Sequence, residues 1–294
     1  MAEFCLGTAQ LGMQYGIANF SSIPDQIQIN KIISKSLSNG IRYFDTAQSY
    51  GESESVLGIA FSKSNFSPNV RVISKYFPNS NVFAIDDMKS SVMRSLEKLR
   101  LNQMYGLLAH RFDLINNEVF IKGVEDLKNN GYINKFGVSV YEPDEAITAI
   151  KSKKVDIIQI PFNIIDKRWI DKGIIKSAKK NNIRLFFRSI FLQGIFFLND
   201  FDLNKKNMAW AIPYMSKFRI LVQNTNLDII QLSFKILSDA ASENVIIFGV
   251  DNINQLISNI ERLKLINEIN LDFNSWWDNI PNFPEKLLNP SLWN

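Results

Sequence analysis

The 294-residue sequence has one cysteine and one histidine. Cys5 alone excludes an internal disulfide framework and a CxxC redox or zinc motif. His110 alone excludes every site that needs two imidazoles, the HExxH zinc hydrolases among them, and no metal site is expected. No stretch approaches the roughly 20 apolar residues of a membrane span. The opening Met1-Ala2-Glu3-Phe4-Cys5-Leu6-Gly7 has neither a cationic n-region nor an apolar h-region, so a soluble cytoplasmic protein without a membrane partner is expected. GxGxxG and GxxxxGK[ST] are both missing, which argues against an open, doubly wound nucleotide-binding sheet. Charge of one sign is also scarce. The 33 Lys+Arg against 29 Asp+Glu leave a dispersed +4, too weak for a nucleic-acid footprint. No Pro/Gly/Ser-rich linker divides the chain.

What is present is alternation. At 46% hydrophobic and 21% charged, the composition is that of a globular protein. Short apolar runs recur as candidate strands: Phe4–Thr8, Ile41–Asp45, Val70–Lys75, Met104–Ala109, Lys135–Ser139, Asp156–Ile160, Arg184–Ser189 and Val245–Gly249. They read as continuous hydrophobic segments, as strands buried on both faces should. Between them lie segments of helical period. Asp86-Asp87 can cap a helix carrying Met88, Val92, Leu96 and Leu99. Glu142–Ser152, Asn226–Ala241 and Asn252–Ile269 have the same character. Asn39-Gly40, Asn130-Gly131 and Asn181-Asn182 stand where helices should stop, since these residues tolerate positive φ. Strand–helix repeats imply right-handed βαβ units. Eight of them predict an α/β fold, a single-domain (β/α)8 TIM barrel over residues 1–294. Two segments lie outside the repeat. An insert at about 191–225 is a candidate wall of a substrate pocket, because βα loops build the active face of such barrels. The tail at about 272–294, with Trp276, Trp277 and Trp293, either joins that wall, closes the barrel bottom or contacts a partner.

The candidate strands end in chemistry. Strand two gives Asp45 and then Tyr50, strand three Lys75, and strand four His110 followed by Arg111. Charged groups at buried strand ends must satisfy one another. Asp45 and Lys75 can pair, and an ammonium beside the Tyr50 hydroxyl favours its phenolate. Such a tyrosine can give a proton to a developing alkoxide or take one in reverse. His110 would add a second hydrogen bond to the same oxygen. Taken singly, each has a bland reading: a structural ion pair, a core histidine, a turn tyrosine.

In these residues the chain resembles the aldo-keto reductase family. The likeness runs through Leu6-Gly7-Thr8-Ala9-Gln10-Leu11-Gly12, Gly40-Ile41-Arg42-Tyr43-Phe44-Asp45-Thr46-Ala47 and Tyr50-Gly51-Glu52-Ser53-Glu54. It continues through Lys75, His110, Gly137-Val138-Ser139, Gln159-Ile160-Pro161-Phe162-Asn163, Phe248-Gly249 and Asn259. The resemblance implies a barrel that binds NADP or NAD without a Rossmann fold and acts on a small carbonyl substrate. It implies Tyr50 as general acid/base, Lys75 as its partner, Asp45 as the counter-ion and His110 as the group orienting the carbonyl. On the cofactor it places Gly7, Thr8 and Asp45, with Ser139 and Gln159 on the carboxamide. Arg188, Ser189, Phe191 and Gln193 fall on the nicotinamide and pyrophosphate, and Gly249, Gln255 and Asn259 on the adenosine end.

Three positions depart from the family pattern. Val140 stands where many members have Asn, and Arg188 stands where an aromatic residue is usual. Gly249 and Gln255 stand where NADP-selective members carry cations, which predicts a weaker NADP preference. Substrate contacts are expected from Tyr15, Tyr76, Arg111 and Tyr141, with Arg111 suited to a carboxylate or phosphate. The opening segment also resembles reductases associated with bacterial surface-polysaccharide sugars. The rival reading is a nucleotide-binding barrel acting as a regulatory or interaction subunit with little turnover.

Overall fold

Eight parallel strands close on themselves in chain order: β1 (Glu3–Gly7), β2 (Tyr43–Asp45), β3 (Arg71–Tyr76), β4 (Met104–Ala109), β5 (Ile133–Ser139), β6 (Ile157–Pro161), β7 (Arg184–Arg188) and β8 (Val245–Gly249). The structure is a computed structural model describing residues 2–63, 70–78, 84–240 and 243–293. The last strand returns to the first, so Gly7 lies opposite both Asp45 and Gly249. The fold is the expected (β/α)8 barrel.

Helices surround it. Described residues form α1 (Ala9–Gly12), α2 (Gln26–Ser38), α3 (Ser53–Lys63), α4 (Ile85–Leu99), α5 (Glu118–Asn129) and α6 (Pro143–Ser152). Further along come α7 (Arg168–Asp171), α8 (Ile174–Lys180), α9 (Asp200–Lys205), α10 (Ile212–Gln223), α11 (Ile229–Ala240) and α12 (Ile253–Leu265). The tail adds α13 (Phe273–Asn279) and α14 (Glu285–Leu288). The Asn-Gly and Asn-Asn stops act as read: φ is +84° at Gly40, +75° at Gly131 and +56° at Asn182.

Several boundaries shift. β2 starts at Tyr43 rather than Ile41, and β5 at Ile133 rather than Lys135. Asp86 and Asp87 do not cap α4. They lie in its first turn, where carboxylates face the positive end of the helix dipole, and Ala84 is the capping residue. The helix expected from Asn226 starts at Ile229, and Ala241 is outside the described residues. The helix expected to reach Ile269 ends at Leu265. The 191–225 insert is no open loop. It holds α9 and α10, which bury Leu203, Met215 and Phe218.

Two apolar cores result from the period-two alternation of strand side chains. Outward residues such as Phe44, Val72, Leu107, Val138, Ile158, Phe187 and Phe248 pack against the helices. Inward residues Cys5, Tyr43, Ile73, Leu108, Ile157, Phe186, Val245 and Ile247 fill the barrel. Below them Arg71 and Arg184 both donate to the Tyr43 hydroxyl, and Arg184 also pairs with Glu3. The tail packs against the segment after β6: Trp277 stacks on Phe162 with ring centroids 5.6 Å apart, and the Trp276 indole donates to the Ile164 carbonyl.

Candidate active site

Seven of the eight inward core residues lead to a site residue two positions further along the chain. From Cys5, Tyr43, Ile73, Leu108, Ile157, Phe186 and Ile247, two more residues reach Gly7, Asp45, Lys75, His110, Gln159, Arg188 and Gly249. Ser139 holds the same height on β5, opposite Gln159. The alternation that hides apolar side chains inside the barrel therefore raises a polar ring at its C-terminal rim.

Asp45 and Lys75 are the centre of that ring. Both are buried, and the Lys75 ammonium lies 2.7 and 2.9 Å from the two carboxylate oxygens and 2.9 Å from the Thr46 carbonyl. The Gln159 amide donates to Asp45 at 2.7 Å, and the Ser139 hydroxyl lies 3.5 Å from Gln159 Oε1. Burial by itself would lower the Lys75 pKa. The charge and hydrogen bonds of Asp45 and Tyr50 outweigh it, so the net shift is upward. Lys75 stays an ammonium, 4.7 Å from the centre of the Tyr50 ring.

Tyr50 is carried by the segment joining β2 to α3, and close backbone contacts hold that segment. A Cβ on Gly12 would fall 2.2 Å from the Tyr50 carbonyl oxygen, and one on Gly51, where φ is +56°, would fall 2.4 Å from the Gly12 carbonyl oxygen. Only glycine allows this approach. Thr8, Thr46 and Ser53 complete the tie through bonds of 2.7 and 2.9 Å among their buried hydroxyls.

His110 stands edge-on to Tyr50, ring centroids 6.3 Å apart, with Phe77 on another side at 5.7 Å. Its Nδ1 is 3.4 Å from the Ser49 hydroxyl. Burial, then the charges of Lys75 and Arg188, push its pKa from 6.5 down to about 4, so the imidazole is neutral near pH 7. Arg188 stacks its guanidinium 4.5 Å from the Tyr141 ring centre and donates to the Val140 carbonyl at 3.1 Å. Burial raises the pKa of the Tyr15 hydroxyl, with Tyr50 nearby adding to the effect.

A cavity of about 360 Å³ opens over this rim. Tyr50, Asp45, Tyr15 and Arg188 line one part, and Gly249, Gln255 and Asn259 another, with Gly7, Thr8, Ser189, Phe191 and Gln193 also on its walls. Lys75, His110, Ser139 and Gln159 stand behind or beside this wall, linked to it through Asp45 and Tyr50. Three expected substrate residues are not on this wall, and of these Tyr141 is exposed and packs on Arg188. Tyr76 follows inward Lys75 and so points outward, buried against Phe120 at 5.7 Å. Arg111 is exposed, with Asp113 holding it through two bonds of 3.0 and 2.6 Å. Sequence reading passed over Gln10 and Asp251, both on the cavity wall. Gln10 packs on bare Gly249, where a Cβ would meet its amide at 2.6 Å. Asp251 continues the inward series 247, 249, 251, and that was its available signal.

A closed barrel with tyrosine, lysine, aspartate and histidine gathered at one rim is the architecture of an oxidoreductase that works without a Rossmann fold. The aldo/keto reductase family model matches residues 3–278, and the chain belongs to that family, whose members are NAD(P)-dependent oxidoreductases acting on carbonyls. The chain is 28% identical over 156 residues to D-arabinose 1-dehydrogenase of Saccharomyces cerevisiae, covering 49% of this chain and 44% of that protein, so it spans less than half of that relative's length. It is 21% identical over 283 residues to the uncharacterized oxidoreductase YqkF of Bacillus subtilis, covering 87% and 89% of the two chains. Among solved structures, the aldo-keto reductase AKR11C1 from Bacillus halodurans superposes with a TM-score of 0.72 at 17% identity, covering 98% and 95%. The glycerol dehydrogenase AKR11B4 from Gluconobacter oxydans gives 0.67 at 20% identity, covering 96% and 93%. The chain is an oxidoreductase of this type. Among its described residues no helix is long and apolar enough to cross a membrane.

Proposed function

We propose that the protein interconverts a small carbonyl compound and its alcohol, with Tyr50 as the proton donor and acceptor. The observation that carries this reading is the buried Lys75 ammonium, fixed by Asp45 at 2.7 Å and set 4.7 Å from the Tyr50 ring at the cavity wall. The residues present fit a nicotinamide dinucleotide. Neutral Ser139 and Gln159 suit a carboxamide beside Tyr50, bare Gly7 and Gly249 allow close approach, and Asn259 offers a polar partner at the α12 end of the cavity. Bound there, the nicotinamide supplies or accepts the hydride at the substrate carbon.

The protein's own groups do the rest. In reduction the Tyr50 hydroxyl gives its proton to the oxygen that gains charge, and Lys75 stabilises the phenolate left behind. Neutral His110 donates an N–H to the same oxygen without adding a cation. Asp45 keeps Lys75 in place and compensates its charge. Tyr15 and Arg188 line the space where the substrate would sit, with Tyr141 against Arg188 from outside, and the Asp113 partner of Arg111 argues for Arg188 rather than Arg111 as the cation facing it.

A small polyhydroxylated substrate is the class best supported, since two relatives are named as arabinose and glycerol dehydrogenases. Use on a surface-polysaccharide sugar rests on the opening segment's resemblance alone. We take barrel, insert and tail as one domain working in the cytoplasm. Turnover of NADH and NADPH with a panel of sugars and polyols tests the proposal. Tyr50→Phe should lower kcat by about 10²–10⁴-fold while still binding the dinucleotide. If wild type and variant are equally inert with the dinucleotide bound, the barrel is a regulatory subunit instead.

A further inference from the structure

The cavity has a reacting end and a far end. Tyr50 and Asp45 mark the first, and the β8–α12 segment, from Gly249 to Asn259, marks the other. A dinucleotide whose nicotinamide meets Tyr50 must place its adenosine ribose at the far end. The two dinucleotides differ only there: one carries a free 2′-hydroxyl, the other a 2′-phosphate.

The charge at the far end is negative. Asp251 lines the cavity and is half-buried, and no lysine or arginine forms an ion pair with it among the described residues. Its carboxylate accepts from the Gln255 amide at 3.2 Å, while Gln255 Oε1 accepts from the Asp251 backbone N–H at 2.8 Å. Gln255 is thereby committed to holding Asp251, and both side chains are fixed on the wall. Arg262 donates to Ser258 on the same wall, but Asp228 holds its Nε at 2.7 Å and offsets its charge. Burial raises the Asp251 pKa, the mark of a carboxylate short of favourable partners. It would gain such partners from hydroxyl donors.

We infer that Asp251 is the specificity-determining residue for the cofactor: its carboxylate accepts hydrogen bonds from the ribose hydroxyls of NAD(H) and repels the 2′-phosphate of NADP(H). This rests on the proposed dinucleotide-dependent function and deepens it. The point goes beyond the missing cations at Gly249 and Gln255. A site that merely lacks cations is indifferent to the phosphate, whereas an unpaired acid in a low-dielectric wall opposes it.

Equilibrium binding separates the possibilities. Kd values for NADH and NADPH are measured by quenching of tryptophan fluorescence, for wild type, Asp251→Asn and Asp251→Ser, with circular dichroism confirming folding. Wild type should bind NADH about tenfold or more tighter than NADPH. Both variants should shrink that ratio by about tenfold, through tighter NADPH and weaker NADH binding. Gln255→Arg, which puts a cation beside Asp251, should shift the ratio the same way. Binding of both dinucleotides with a ratio that neither Asp251 variant changes overturns the assignment and leaves the redox reading intact. Tighter binding of NADPH by wild type overturns it as well. Binding of neither dinucleotide by folded wild type removes the redox reading and the assignment together.

Discussion

His110 carries a pH signature of its own. Its folded pKa is held near 4 by burial and by Lys75 and Arg188, against an ordinary value of 6.5. A depressed histidine pKa means that the unfolded chain takes up a proton where the folded chain does not. Stability should therefore fall as pH drops from about 6.5 toward 4, with no His110 contribution above that window. Denaturant unfolding of wild type and His110→Gln across this range should give curves that converge as pH falls, since only the wild type loses stability at this position. Parallel curves would show that His110 is not held neutral. Because the sequence has one histidine, no other imidazole confuses the comparison. At this scale the legible residues were those at strand ends, where burial leaves a charge few reasons to exist. Asp45 and Lys75 could be paired from sequence for that reason. Tyr76 could not be oriented without knowing which neighbour faced inward, and the Arg111–Asp113 pairing was one of several open to an exposed arginine.

The element that matters most for Tyr50 is one turn of helix. Residues of α1 press against the segment between β2 and α3, and Gly12 and Gly51 let the backbones meet. Gly12→Ala puts a methyl where the Tyr50 carbonyl and the Ser53 amide now are, so the segment must move. A displacement of about 1 Å at a catalytic group can cost roughly 10²-fold in rate. We expect Gly12→Ala to lower kcat by about that factor while the cofactor Kd changes little, measured by steady-state kinetics beside fluorescence titration. Unchanged kcat would mean that the contact does not position Tyr50. Strands were the elements most readable in advance, because a segment buried on both faces has an unmistakable apolar run. The helix start at Ile85 was harder, since two aspartates serve the first turn as well as they serve a cap. The insert was hardest, because α9 is too short to show a period and α10 meets solvent through residues as apolar as Ile220.

At the level of the whole molecule, barrel and tail answer to different pressures. Trp277 is 6% exposed and stacks on Phe162, the residue following β6, yet no described residue of the tail lines the cavity. Its removal should damage stability rather than binding. Trp277→Ala should cost about 3–5 kcal/mol of unfolding free energy, the usual range for a large buried aromatic, with the cofactor Kd unchanged. Urea unfolding and fluorescence titration of the folded variant check both halves, and a weakened Kd would draw the tail into the site. The barrel itself could be counted from sequence, strand by strand. The tail could not be placed, since three tryptophans among prolines announce burial without naming the surface that receives them.

The polar ring has a further consequence for how the protein fails. Its members arrive one from each strand or the residue just after it, from Gly7 on the first to Gly249 on the last, all at the C-terminal rim. No contiguous stretch of chain contains a working fraction of the site. A βα unit that frays anywhere along the sequence withdraws one wall and breaks the circle. Catalysis in such a molecule is a collective property, and its loss on heating or in denaturant reports the opening of the barrel as a whole.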